Sequence, residues 1–393
     1  MARRIGRLAC HAAVRPRRPT RRSSHGSHGN HGSRSSRGSP GSPPSHETRR
    51  GRAGERGTNA GYHSAVELPP LPAPARELTL DGFRIGHGSD TTGMTGVTVV
   101  LCPDGAVAAA EVRGSATGTR QFDSLVNSQH LATRAHAVVL AGGSGFGLAA
   151  ADPVVEALAR DGHGFDAGVA RVPLVPTAIL FDLGFGDPLA RPGRALVEQA
   201  LHGAAAGPVA VGSVGAGTGA TVGKALGREC GMKGGAGFAS LTVAGGVTVA
   251  ALVAVNAFGD VRDPATGATV AGCRAAADSR RLVGAERVLA ALPATAQHPW
   301  EGNTTLAVVL TDAALGKRAA LKVCQMAFGG LYRALSPALT MYDGDLVVTL
   351  ALGDRPAHVH QVGVLAEQAV VQAILVAVRE ADGFGLLPAM RDL

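Results

Sequence analysis

A core built from this chain has to be closed by small side chains. Glycine occupies 55 of 393 positions and aromatic residues make up only 4%, so strands and helices must approach backbone to backbone, through many tight turns, instead of meeting across bulky rings. That constraint governs only part of the chain. Residues 1–70 hold 14 basic and 3 acidic side chains among Ser, Gly, His and Pro, with a beat of His25-Gly26, His28-Gly29 and His31-Gly32. Such a segment cannot bury enough apolar surface to offset its chain entropy. Residues 1–74 are therefore read as a disordered basic low-complexity extension, and residues 75–393 as a single folded domain.

The same split narrows the function. The formal charge of +8 comes from the first segment, because the rest of the chain carries 24 basic and 27 acidic residues. A slightly acidic body argues against a specific nucleic-acid partner, whose site would need positive charge on a folded face. No stretch reaches the roughly 18 consecutive apolar residues of a membrane span, since Glu367, Gln368 and Gln372 interrupt the best candidate, and no membrane partner is expected. Five widely spaced cysteines without a C-x-x-C pair read as buried free thiols in a reducing, cytoplasmic compartment.

Apolar and β-branched runs predict strands over Val97–Leu101, Ala106–Arg113, Ala137–Leu140, Ala178–Leu183, Thr248–Asn256, Leu306–Leu310 and Leu346–Leu352. Proline-free runs of good helix formers predict helices over Val154–Arg160, Ala195–His202, Arg318–Leu335 and Val362–Ala381. The mixture is α/β. Several strands follow one another as hairpin-like neighbours, so buried sheets covered by helices are the expected architecture.

One corner of this pattern carries chemistry. Asn303-Thr304-Thr305-Leu306 opens the apolar run Leu306–Leu310, which puts Thr304 at the first position of a strand. If the bond before it breaks, Thr304 gains a free α-amine, whose pKa of about 7.7–8.0 suits it to take the proton of its own hydroxyl. Nucleophile and base then reside on one residue. Asp343 and Asp345 stand two apart at the head of the next strand, on one face, where two close carboxylates retain a proton or call for a cation. Asn256 closes the run Val247–Val255 and can donate to an oxyanion from the strand's end.

Lys224 is one of only four lysines and lies in a glycine-rich segment. Gly215–Gly223 is no phosphate loop, because Thr218 stands where G-x-x-x-x-G-K needs glycine and Ala225 where it needs Ser or Thr. Gly142-Gly143-Ser144-Gly145-Phe146-Gly147 likewise misses the G-x-S-x-G elbow at Phe146. It reads instead as a turn into a helix, with Ser144 and Phe146 walling a substrate pocket. His358 and His360 lack a third ligand, so no metal site is assigned.

Together, Gly82-Phe83-Arg84-Ile85-Gly86-His87, Leu140-Ala141-Gly142-Gly143-Ser144, Gly215-Ala216-Gly217-Thr218-Gly219-Ala220-Thr221, Val255-Asn256-Ala257-Phe258-Gly259 and Asn303-Thr304-Thr305 resemble the DmpA-type aminopeptidase family. That family includes β-peptidyl aminopeptidases and the nylon-oligomer hydrolase branch. The resemblance implies a four-layer αββα sandwich of the self-processing N-terminal-nucleophile type, cut between Asn303 and Thr304. It implies Thr304 as nucleophile, Lys224 beside it, Asn256 at the oxyanion, and Asp343 and Asp345 orienting the threonine, as in the nylon-oligomer branch. Phe146 stands where the family commonly has a tyrosine hydroxyl. The implied substrate is a small peptide or amide, no metal or organic cofactor is implied, and the processed units would form a homo-oligomer of four. Acyl transfer of the ornithine-acetyltransferase kind, and a non-catalytic binding homologue, are the rival expectations.

Overall fold

The chain is described by a computed structural model over residues 70–244, 246–293 and 302–393. The extension expected over residues 1–74 lies outside the described residues except for its last five positions. Nine strands join in the principal sheet: β1 (Arg84–Asp90), β2 (Thr95–Val112), β3 (Gly118–Arg120), β4 (Arg134–Ala141), β5 (Thr177–Ile179), β6 (Gly235–Thr242), β7 (Thr248–Asn256), β8 (Thr304–Ala313) and β9 (Leu346–Arg355). Their order is β6-β7-β8-β9-β2-β4-β5-β3, with β1 paired to β2 outside that path. The pairings are antiparallel except β8 with β9 and β4 with β5. The four long helices are α1 (Ala151–Arg160), α2 (Arg194–His202), α3 (Lys317–Ala334) and α4 (Val359–Arg379).

Three differences from the sequence reading have physical causes. The two strands expected over 97–101 and 106–113 are one, β2, and the Pro103-Asp104-Gly105 break is absorbed as an irregularity in its pairing with β4 between Leu101 and Ala106. A bulge of this kind accommodates a proline that has no N–H for the ladder. β5 ends at Ile179, so the expected strand to Leu183 stops short and Phe181 and Asp182 leave the sheet. β1 and β6 were not expected, since their glycines hide the strand signal.

Side chains alternate between faces along each strand, and here both faces are apolar. On β7, Val249, Ala251, Val253 and Val255 join a cluster with Val323 and Phe328 of α3 and Val370 and Ile374 of α4. The intervening Ala250, Leu252 and Ala254 join a second cluster with Leu306, Val308 and Leu310 of β8 and Val138 and Leu140 of β4. The odd positions of β4, Ala137, Val139 and Ala141, face a third cluster with Val154 of α1 and Val197 of α2. Burying a valine or leucine is worth about 1.5–3 kcal/mol, so these strands read as near-continuous apolar runs.

Helix α4 is long and apolar enough to cross a membrane, with a mean hydropathy of 1.7 over its best window, yet 67% of that window is buried inside the molecule. It packs on α3, β6 and β7 as a core helix. The glycine content has a direct use at this contact. A Cβ on Gly237 of β6 would lie 1.9 Å from the Ala373 carbonyl oxygen of α4, so the helix lies on bare backbone.

Gly237→Ala is accordingly expected to cost about 1–3 kcal/mol of stability through overpacking. Gly145→Ala, at a glycine with nothing within 4 Å of an added Cβ, should stay within about 0.5 kcal/mol. Urea unfolding of the two variants checks the contrast, and equal losses would disprove the close-approach explanation.

Candidate functional site

The register of three neighbouring strands assembles the site. β7 runs antiparallel to β8 with Asn256 opposite Thr304, and β8 runs parallel to β9 with Leu306 level with Leu346. One residue before β8, Asn303 makes an isolated bridge to Asp343 in the turn ahead of β9. Thr304 thus begins a central strand with Asn256 on one side and the Asp343-Gly344-Asp345 turn on the other. By alternation from Leu306 and Ala254, the Thr304 and Asn256 side chains face the end of the middle apolar cluster. They form its polar rim.

Thr304, Asn256, Lys224, Asp343 and Asp345 are all at most 2% exposed. The Thr304 hydroxyl donates to the Asn303 carbonyl oxygen, beside the bond whose cleavage was expected. Asn256 Oδ1 accepts from Lys224 Nζ at 2.9 Å and from Thr221 N at 2.9 Å, while its Nδ2 donates to Phe181 O at 2.9 Å. Lys224 Nζ also donates to Thr221 O at 2.9 Å, Thr221 Oγ1 at 3.0 Å and Asn256 O at 3.2 Å. Through its bond to Asn256 Oδ1 the cation reaches Thr304's neighbourhood.

The two aspartates sit in the turn, ahead of the strand head where they were expected, because β9 starts at Leu346. Asp343 accepts from Phe258 N at 3.1 Å, Thr340 N at 3.0 Å and Thr340 Oγ1 at 2.6 Å. Asp345 accepts from Thr305 N at 2.6 Å and Leu339 N at 3.3 Å. Its carboxyl thus holds the amide next to Thr304. Burial pushes both acids above the usual carboxylate range, Asp345 further so through the nearby Asp343, while the hydrogen bonds from Thr340 and Phe258, and then Lys224, pull Asp343 back. Two desolvated carboxyl groups this close favour a retained proton.

Phe146 and Ser144 do not share this burial. Phe146 is 61% exposed with the Arg191 guanidinium 4.1 Å over its ring. Ser144 begins a 3₁₀ turn, Ser144–Ala150, that leads into α1, and its N–H donates to Leu180 O. The loop is tied to the 180–182 segment, whose Phe181 carbonyl accepts from Asn256.

Two participants escaped the sequence reading. Gly344 presses directly on the threonine, since a Cβ there would lie 2.7 Å from Thr304 Oγ1. Lys233, fully buried, donates to Gly217 O at 2.9 Å, Ala220 O at 2.9 Å and Gly234 O at 3.1 Å, and so clamps the loop that delivers Thr221 and Lys224. Burial pushes its ammonium down to about 7 and the neighbouring Asp182 up to about 6. The scarcity of lysine was the available signal, and Lys233 lies in the same glycine-rich stretch as Lys224.

The pattern of peptidase family S58 matches residues 79–389. The chain belongs to this family. An uncharacterized aminopeptidase of Mycobacterium leprae is 38% identical over 350 residues, covering 81% of this chain and 94% of that one. A 6-aminohexanoate-oligomer endohydrolase of Kocuria sp. is 30% identical over 291 residues, covering 72% and 77%. Among solved structures, the L-aminopeptidase D-Ala-esterase/amidase of Ochrobactrum anthropi, described as a variant of the Ntn-hydrolase fold, superposes with a TM-score of 0.59 at 18% identity, covering 80% of this chain and 89% of that one. The resemblance to DmpA-type aminopeptidases is borne out, the mixed α/β fold has Ntn-hydrolase neighbours, and the chain is a hydrolase acting on amide bonds.

Electrostatics at the turn sets a pH trend. Because folding raises the Asp345 pKa, the folded chain keeps a proton that the unfolded chain loses above about pH 4, and stability falls as pH rises through that window. Asp345→Asn, made in an uncut Thr304→Ala chain, removes this dependence. Its thermal midpoint relative to the parent should therefore climb between about pH 4 and about pH 8. A pH-independent gap in circular-dichroism melts would contradict the raised pKa.

Proposed function

We propose that this chain is a self-processing amide hydrolase whose nucleophile is Thr304, freed by cleavage of the Asn303–Thr304 bond into fragments of 303 and 90 residues. The observation that carries this reading is the Thr304 hydroxyl, held against the Asn303 carbonyl at the start of a central strand, between Asn256 and the Asp343–Asp345 turn. The three apolar clusters on alternate strand faces support a four-layer αββα arrangement of the N-terminal-nucleophile type.

In the mature form the Thr304 amine takes the hydroxyl proton, and the oxygen attacks the substrate carbonyl. The amine then hands the proton to the leaving nitrogen, giving an acyl-enzyme that water opens. Asn256 is the side-chain donor to the oxyanion, since Phe146 brings no hydroxyl. Lys224 fixes Asn256 and biases the carboxylates, and Asp345 pins the backbone beside the nucleophile. The chemistry calls for no metal or organic cofactor. Substrates are small peptides or amides with a free amino end, among them the ω-amino-acid oligomers suggested by the Kocuria relative. A cytoplasmic location and a tetramer of processed units complete the proposal.

The acyl-enzyme provides the test. Cleaved protein mixed with a peptide amide bearing a free amino end, then acid-quenched, should show the acyl mass on the 90-residue fragment at Thr304. Without acceptor the adduct should decay to free acid, and with hydroxylamine it should yield hydroxamate. Product that forms only when an amine is present would mark an acyltransferase, and an adduct on any other residue would refute Thr304 as nucleophile.

A further inference from the structure

The oxygen on which negative charge would develop during cleavage already has a donor. Gly344 N–H donates to the Asn303 carbonyl oxygen at 2.9 Å. Attack on that carbonyl places charge on this oxygen, and a preoriented amide in a desolvated site is the type of group that stabilises it. The same glycine makes room for the attacking atom, since a Cβ at 344 would lie 2.7 Å from Thr304 Oγ1 and 2.7 Å from Ala116 O. One residue thus addresses both ends of the bond-forming event. It contacts the hydroxyl through its missing side chain and the carbonyl through its backbone.

Asn256 is committed elsewhere in the uncut chain. Its Nδ2 donates to Phe181 O at 2.9 Å, and its Oδ1 accepts from Lys224 and Thr221. Its backbone stands opposite Thr304 rather than opposite Asn303. The side-chain amide assigned to turnover is therefore not the group found on the scissile carbonyl.

We propose that the Gly344 N–H is the oxyanion donor of the maturation step, so that self-cleavage and substrate turnover use different donors. The proposal rests on the reading of Thr304 as a self-cleaving nucleophile. In the step, Thr304 Oγ1 bonds to the Asn303 carbonyl carbon and the carbonyl π pair moves onto oxygen, facing Gly344 N–H. The intermediate collapses by breaking the bond from carbon to the Thr304 nitrogen. The hydroxyl proton ends on that nitrogen, leaving an ester and a free amine. Water then opens the ester to the Asn303 carboxylate and the restored hydroxyl. The Asp343-Gly344-Asp345 triplet acquires a division of labour, with its carboxylates holding the surrounding backbone and its central amide meeting the reacting oxygen.

Amide-to-ester replacement isolates this N–H. Glycolic acid at position 344, introduced by nonsense suppression, exchanges N–H for oxygen and adds no bulk. The matched control is glycolic acid at position 267, which deletes the N–H that donates to Asp263 O at 2.7 Å in a turn outside the site. Self-cleavage followed on denaturing gels should slow by about 100-fold or more in the 344 ester, and by less than about 3-fold in the 267 ester, whose lost turn bond does not meet the reacting oxygen. Wild-type cutting by the 344 ester, or equal slowing in both, overturns the proposal. A wild-type chain that never cuts defeats the underlying reading of Thr304 instead, which keeps the two failures apart. Hydrogen exchange gives a readout without substitution at 344. The Gly344 amide should be protected in the uncut Thr304→Ala chain and lose protection in cleaved wild type, and equal protection in both would also overturn the proposal.

Discussion

The pairing that sets Asn256 opposite Thr304 is the constraint from which the rest of the site follows. Along β7 and β8 both faces are buried and apolar, so alternation alone does little to resist a slip by one residue. The polar ends do resist it. A slip would carry Asn256 or Thr304 away from its partners and leave buried hydrogen-bonding groups unsatisfied, each at a cost of about 1–3 kcal/mol. The hydrogen bonds of Asn256 to Lys224, Thr221 and Phe181, and of Asp345 to the Thr305 amide, therefore fix strand register and the position of Thr304 at once. Structure and chemistry draw on the same contacts.

Burial gives the site its electrostatic character. Lys224 and Lys233 both lie in the interior; Lys224 donates to backbone carbonyls and to the side-chain oxygens of Thr221 and Asn256, and Lys233 to three backbone carbonyls. Charges held in this way need tight hydrogen bonding to survive desolvation, which ties the glycine-rich loop 215–224 rigidly to the sheet. The carboxyl groups at 343 and 345 are pushed the other way, toward protonation. A network that balances buried cations, carboxyl groups and backbone dipoles sits where proton transfer would be required of it.

Much of this was legible in the chain itself. The β-branched start at Thr304, the apolar run ending in Asn256 and Lys224 in a glycine-rich loop pointed to residues that the fold brings together. What stayed hidden was carried by backbone atoms. Gly344 matters through an N–H and a missing Cβ, neither of which leaves a side-chain signal, and it stood unread between two conspicuous aspartates. β6 was obscured by Gly235 and Gly237, residues of low strand propensity whose use becomes visible only once α4 lies across them. Pro103 and Gly105 suggested a turn where a long strand bends. Phe146, singled out by its position in a glycine-rich loop, is largely exposed under Arg191, because local sequence says where a loop is and not which way its ring faces.

Intact-mass analysis of the purified protein bears most directly on the central claim, that Thr304 becomes a chain terminus. The expected result is two species that sum to the full chain plus one water, the smaller beginning at Thr304 and ending at Leu393. A single mass continuous across the Asn303–Thr304 bond, in protein that turns over amide substrates, would contradict it.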